Sequence, residues 1–266
     1  MKLPRISASS YSNTAPLIWS FLYGSQRGKA EVILDTAPSR SAELLAGNRV
    51  DAALVPVIAF QTIPDVSLIE GVCVGAADRV RSVCLVTDGK ELEDVRSVAL
   101  DTSSKTSVAL TKIIFREFLG FEPEWMDAEP DVDRMLSSHD CALIIGDPAL
   151  AVTSDQDPGK DRKAFDLSSL WRSFTGTGFV FAMWMARELP PGIDFSAARD
   201  EGLRHLDEII ANYSDEIPLS TAEFRKYLGE HIEYGVTAEL AQGLDLYFRL
   251  CEKHGVIKDP RSPKFI

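Results

Sequence analysis

The densest run of hydrogen-bonding groups in the chain is Leu100-Asp101-Thr102-Ser103-Ser104-Lys105-Thr106-Ser107. An apolar strand runs out at residue 100, five hydroxyl residues and a lysine follow, and a helix is predicted over 107–119. The first turn of a helix carries unpaired backbone N–H groups and a partial positive charge. Hydroxyls beside it add donors, so the pattern points to a site for a carboxylate or phosphate, held by Thr102, Ser103, Thr106 and Ser107. A helix cap at Thr106 or a neighbouring serine accounts for one hydroxyl of the five. There is no G-x-x-x-x-G-K-[ST] and no G-x-G-x-x-G after a strand, so the turn is neither a nucleotide P-loop nor a dinucleotide fingerprint.

A second polar run, Ser9-Ser10-Tyr11-Ser12-Asn13-Thr14-Ala15-Pro16, also joins a strand end to a helix start. Open α/β sheets bind ligands at the C-terminal ends of their strands. Ser9, Tyr11, Asn13 and Thr14 are therefore candidate contacts, whether or not one of them also caps the helix. Pro56 closes a third strand. In Asp78-Arg79-Val80-Arg81-Ser82, Arg81 has the chemistry to pair with a ligand carboxylate, although surface arginines offsetting an acidic chain account for the run equally. Gly146-Asp147-Pro148 again joins strand to helix. Asp147 is expected as an N-cap with Pro148 at the first helical position, and Gly146 as a lining residue.

Other chemistries find no support. His139, His205, His231 and His254 show no metal-ligand spacing, and the last three are expected to face solvent or pack locally. G-x-S-x-G and H-E-x-x-H are absent. Cys73, Cys84, Cys141 and Cys251 include no C-x-x-C pair and read as buried structural thiols. No metal and no cofactor is expected. The 266 residues carry a formal net charge of -12, which argues against nucleic acid or an anionic membrane as partner. No apolar run is long enough to span a bilayer, and Met1–Arg5 leads into a strand without the apolar core of a signal peptide. A cytoplasmic protein acting on a small molecule is the expectation, with the oligomeric state open.

The elements that must position these turns alternate. Strands are expected at 3–7, 31–34, 51–55, 97–100, 124–126 and 142–145, with helices at 15–23, 38–46, 107–119 and 132–136. This β-α order argues a parallel sheet covered by helices. Extended segments at 68–74, 82–86 and 179–186 interrupt it, a polar loop is expected over 153–163, and helices at 197–213, 222–232 and 238–254 complete the chain. Crossings near 82–86 and 179–184 divide the chain into one lobe of 1–86 with 178–266 and another of 87–177. A cleft spanned by two strands follows, in an α/β layout of the type II periplasmic-binding-protein kind. A single doubly wound domain with a helical cap is the alternative.

Together these blocks carry a family likeness. Ser10 to Leu17 (SYSNTAPL), Asp51 to Pro56 (DAALVP), Arg81-Ser82-Val83, Leu100 to Leu110 (LDTSSKTSVAL), Ile145 to Leu150 (IGDPAL) and Trp171 to Ala182 (WRSFTGTGFVFA) resemble, in order, blocks of the chorismate dehydratases of the futalosine route to menaquinone. The ordered blocks, leaving out the last, cover about the first two-thirds of the chain. The resemblance implies a type II binding-protein fold recruited as a cofactor-free lyase that dehydrates chorismate to 3-[(1-carboxyvinyl)oxy]benzoate. It marks Asn13 and Ser82 as catalytic. It departs at Ser12, where members often carry Leu, a change expected to affect packing rather than chemistry. Two other functions remain open on the residues: a non-catalytic receptor for a small carboxylate, and the related 1,4-dihydroxy-6-naphthoate synthase.

Overall fold

The computed structural model describes residues 3–153 and 161–266. The apolar segments become ten strands: β1 (Arg5–Ser9), β2 (Glu31–Asp35), β3 (Ala52–Pro56), β4 (Ser67–Ala76), β5 (Val83–Asp88), β6 (Ser97–Asp101), β7 (Glu124–Ala128), β8 (Cys141–Ile145), β9 (Arg162–Asp166) and β10 (Phe179–Ala186). They form two five-stranded sheets, ordered β2-β1-β3-β10-β4 and β7-β6-β8-β5-β9. The order is the same in both, so the second half of the β-α pattern repeats the architecture of the first.

Neither sheet is wholly parallel. β1 pairs parallel with β2 and β3, and β6 with β7 and β8, whereas β10 and β5 run antiparallel to both of their neighbours. The reason is topological. The parallel strands end at the edge where the two sheets meet, and a chain crossing from one sheet enters the other at that edge, so its strand must run back against them. Val83 pairs with Ile145 at the end of β8, and Ala182 with Pro56 at the end of β3. β5 thus belongs to the second sheet, although the sequence reading grouped residues up to 86 with the first.

The helices cover the sheet faces. α1 (Ala15–Leu22), α2 (Pro38–Ala46) and α3 (Ala59–Thr62) follow strands of the first sheet, and α4 (Lys105–Ile113), α5 (Val132–Leu136) and α6 (Asp147–Val152) follow strands of the second. α7 (Leu167–Thr175) lies in the return crossing. α8 (Phe195–Arg204), α9 (Leu206–Tyr213), α10 (Thr221–Lys226) and α11 (Ala238–Lys253) form the C-terminal part. The single helix expected over 197–213 breaks at His205, whose ring stacks on Trp19 with centroids 3.9 Å apart. The helix expected over 222–232 ends in a π-turn, Tyr227–His231. β9 and α7 were not anticipated. β9 is an edge strand of sequence Arg-Lys-Ala-Phe-Asp, too polar to read as one. Of the loop expected over 153–163, residues 154–160 lie outside the described residues, and 162–163 already belong to β9.

One apolar core runs through both sheets and under the C-terminal helices, with Trp171, Trp184, Tyr227 and Tyr247 among its largest fully buried side chains. Tyr247, on α11, packs against Trp171 and Phe179 and donates its hydroxyl to the Thr106 carbonyl at 3.2 Å. The C-terminal segment therefore fixes the first turn of α4. All four cysteines are buried and free, in keeping with structural thiols. His254 does more than pack locally, because its Nε2 lies 2.7 Å from Glu117 in the π-turn after α4.

Candidate functional site

Where the strand ends of the two sheets face each other, a cavity of about 50 Å³ is lined by polar turns and an apolar floor. The first sheet supplies Ser9, Tyr11, Asn13, Thr14 and Pro56. The second supplies Ser107 and Gly146, together with Ser104, which the sequence reading left out of the site. The floor is Leu54, Val74, Val83, Ile145 and Phe181. These strand-end residues went unrecognised because an apolar residue at a strand end reads as core. Among the described residues no lysine, arginine or carboxylate lines the cavity. An anion held there would be met by neutral hydroxyls and the N-terminal dipole of α4 rather than by a countercharge.

The turn before α4 divides its hydroxyls among distinct tasks. Ser104 is the N-cap: its Oγ accepts from the Ser107 N–H at 3.4 Å and from the Ser107 hydroxyl at 3.1 Å. Ser103 bonds back to Asp101, its N–H at 3.0 Å and its hydroxyl at 2.6 Å from Oδ1. Thr106 is fully buried and accepts the Ile58 N–H of the first sheet's side at 3.2 Å, so it ties the two halves together rather than facing the cavity. Thr102 is exposed and borders a different surface groove with Met126 and Glu129.

In the first turn, Thr14 spends its hydroxyl on the carbonyls of Ser9 and Tyr11. This folds residues 12–14 into a 3₁₀ turn and presents Asn13 to the cavity. The Tyr11 ring reaches across to Gly146. With φ 66° and ψ -149°, Gly146 has a backbone conformation that is essentially glycine's alone. A Cβ on it would sit 2.7 Å from that ring. Burial raises the Tyr11 phenol above its ordinary value, and the neighbouring Ser103 opposes the rise.

Three expectations need correction. Gly146, not Asp147, is the N-cap of α6, and Pro148 is its second residue. The Asp147 carboxylate instead accepts the Ser12 backbone N–H at 3.2 and 3.1 Å and the Ser12 hydroxyl. Ser12 is thus a latch between the two turns and not merely a packing change. Burial pushes the Asp147 carboxyl up, and the Ser12 bonds oppose it. The Arg81 guanidinium does not line the cavity; it donates to the Thr153 carbonyl and to Glu223, both at 3.2 Å. What Arg81 contributes is its backbone: φ is 65°, strained for a non-glycine residue. Its N–H is clamped by Asp166, which also takes the Val80 N–H and caps α7. That clamp sets the direction of the next residue, Ser82.

Ser82 is fully buried and its hydroxyl has no hydrogen-bond partner. It does not border the cavity itself. It meets Asn13 at the hydroxyl of Tyr227, a residue that nothing in the sequence distinguished from core. Burial drives the Tyr227 phenol far above its ordinary range and the Asp147 charge adds to this, while Ser82 and Asn13 pull the other way. Neither hydroxyl, however, closes a hydrogen bond of full geometry. Among the described residues no group of three or more His, Cys, Asp or Glu converges to hold a metal ion. No helix among them is long and apolar enough to cross a membrane.

Comparison with known proteins places this arrangement. A family model described as menaquinone biosynthesis matches residues 4–253. The chorismate dehydratase of Thermus thermophilus is 33% identical over 217 residues, 75% of this chain and 77% of that protein. Among solved structures, protein AF1704 of Archaeoglobus fulgidus superposes with a TM-score of 0.68 at 14% identity, covering 96% of this chain and 98% of that one. The periplasmic aliphatic sulphonate binding protein SsuA of Escherichia coli superposes with a TM-score of 0.65 at 16% identity, covering 100% and 94%. The structural likenesses establish a periplasmic-binding-protein-like α/β fold, and with the family match over nearly its whole length the chain belongs to the menaquinone-biosynthesis family.

Proposed function

We propose that the protein is a hydro-lyase that removes water from chorismate to give 3-[(1-carboxyvinyl)oxy]benzoate, in the cytoplasm, as the first step of the futalosine route. One observation carries this reading: a cavity between two sheets where hydroxyls, an amide and a helix N-terminus converge, with no carboxylate or histidine among the described residues that line it. The 33% identity to a chorismate dehydratase supports the choice of substrate.

In chorismate the ring oxygens at C3 and C4 are trans, so the C3 hydrogen and the C4 hydroxyl share a face. A concerted anti elimination is closed to it. Removing the C3 proton first gives a carbanion conjugated to the C1 carboxylate, whose oxygens take up the charge. Donors fixed around that carboxylate stabilise the transition state more than the ground state. Ser104, whose hydroxyl accepts from Ser107 and keeps its own proton, and the first turn of α4, with Ser9 or Tyr11 opposite, are the candidates to supply them.

The proton acceptor in this reading is the substrate's own enolpyruvyl carboxylate. Asp147 has both oxygens engaged by Ser12, Asp101 accepts Ser103 at Oδ1 and keeps Oδ2 buried without a partner, and neither carboxylate borders the cavity. Asn13 and Ser82 attend the departing C4 oxygen. As the C4–O bond breaks, that oxygen leaves with its electron pair, takes the proton carried by the carboxylate and departs as water, while the ring becomes aromatic. The two sheets act as lobes that open to admit substrate and close over it to exclude water.

Purified protein incubated with chorismate tests the proposal by chromatography and mass spectrometry. The expected result is the aromatic enol ether. Binding of chorismate by calorimetry without product marks a receptor instead, and turnover of cyclic dehypoxanthine futalosine marks the naphthoate synthase.

A further inference from the structure

Tyr227 opens the π-turn that ends α10, and π-turns within helices recur at functional sites. Its side chain is completely buried, yet its hydroxyl closes no hydrogen bond. Asn13 and Ser82 stand beside it, and the Ser82 hydroxyl is equally buried and unsatisfied. Folded chains rarely leave two neighbouring buried hydroxyls without partners. Packing does not require the oxygen. Tyr227 stacks on Phe224 with ring centroids 6.2 Å apart, a contact that phenylalanine would make as well.

We propose that Tyr227 is a positioning residue for the dehydration, a hydroxyl that orients Asn13 and Ser82 toward the oxygen that leaves. The inference rests on the preceding reading and adds a group to it. The donors run in one direction: the Asn13 amide donates to the Tyr227 oxygen, Tyr227 donates to Ser82 Oγ, and the Ser82 O–H is left for the C4 oxygen of the substrate. Hydrogen bonds in series polarise one another in a dry interior. Tyr227 is suited to the middle place because burial and the negative charge of Asp147 keep it protonated. A tyrosine that readily ionised would lose the donor on which Ser82 depends.

The test compares wild type with Tyr227→Phe, Ser82→Ala, the double variant and Tyr234→Phe. Tyr234 is a control, because its hydroxyl is also buried and unpartnered but Asn13 and Ser82 are not among the groups that act on it. Tyr227→Phe is expected to lower kcat by about 10- to 100-fold, the scale of a misaligned catalytic group, with KM within about twofold and the melting temperature no lower than wild type. Tyr234→Phe keeps the wild-type kcat. Because Tyr227 acts through Ser82 and Asn13, the double variant loses less than the product of the two single losses. A wild-type kcat in Tyr227→Phe, an equal loss in Tyr234→Phe, or losses that multiply in the double variant each overturn the assignment while leaving the lyase reading intact. A wild type that makes no enol ether overturns both.

Discussion

Ser82 and Asn13 make different demands on stability and on turnover. The Ser82 hydroxyl is buried with no partner, and such a group costs a folded protein roughly 1–3 kcal/mol. Ser82→Ala removes that penalty. Its melting temperature is therefore expected to equal or exceed that of wild type while kcat on chorismate falls, by roughly 100-fold or more if the hydroxyl stabilises departing charge. A fall in both would make Ser82 a structural residue. Asn13→Ala is expected to lose turnover on a similar scale. Thr14 keeps its bonds to Ser9 and Tyr11, so the 3₁₀ turn should survive, and a circular dichroism spectrum matching wild type checks this.

At the scale of elements, the turns at the strand ends are held by close contacts between the halves. Gly146→Ala places a methyl against the Tyr11 ring and forces alanine to φ 66°. The backbone strain alone is about 1–3 kcal/mol, and the displaced ring must move into the cavity. Both a lower melting temperature and a lower kcat/KM are expected, and denaturant titration beside kinetics separates them. A second case lies away from the site. Glu201 on α8 accepts hydrogen bonds from Ser20 in α1 and from Ser25 in the turn beyond it, and these hold its carboxyl down at about 2. The unfolded chain titrates near 4.5. With the folded value depressed, the stabilisation is whole above about 4.5 and is lost as pH falls toward 2. Glu201→Gln should be less stable than wild type at neutral pH, and the difference should shrink across that window in urea melts.

At the scale of the molecule, the cavity is about 50 Å³, whereas small-molecule sites run to about 300–1,000 Å³. Chorismate does not fit without a change of shape. Polar contacts cross the cleft, Ser12 on Asp147, the Ile58 N–H on Thr106 and the Ser39 N–H on the Ser103 carbonyl at 3.2 Å, and the Tyr11 ring lies on Gly146. The free protein in solution is therefore expected to be more open than this form, with a radius of gyration by X-ray scattering above that of the closed form and falling when chorismate or product is added. A radius that already matches and does not move would mean that substrate reaches the site some other way.

The repeated β-α order, the hydroxyl-rich turns and the lack of metal spacing were all legible in the sequence. Each is written in local pattern: apolar periodicity sets strands and helices, and a hydroxyl run at a helix start sets donors whatever surrounds it. So Ser9, Tyr11, Asn13, Thr14, Pro56, Ser107 and Gly146 could be picked out and do border one cavity. Contacts between residues far apart in the chain were not legible. Only the tertiary structure turned Asp147 from a cap into the acceptor for Ser12, aimed the Arg81 guanidinium at Glu223, reversed β5 and β10, and brought Tyr227 from an ordinary helical position to Asn13 and Ser82. The reason is physical: a residue type fixes what a side chain can donate or accept, but its partner is chosen by how two sheets and a distant helix pack.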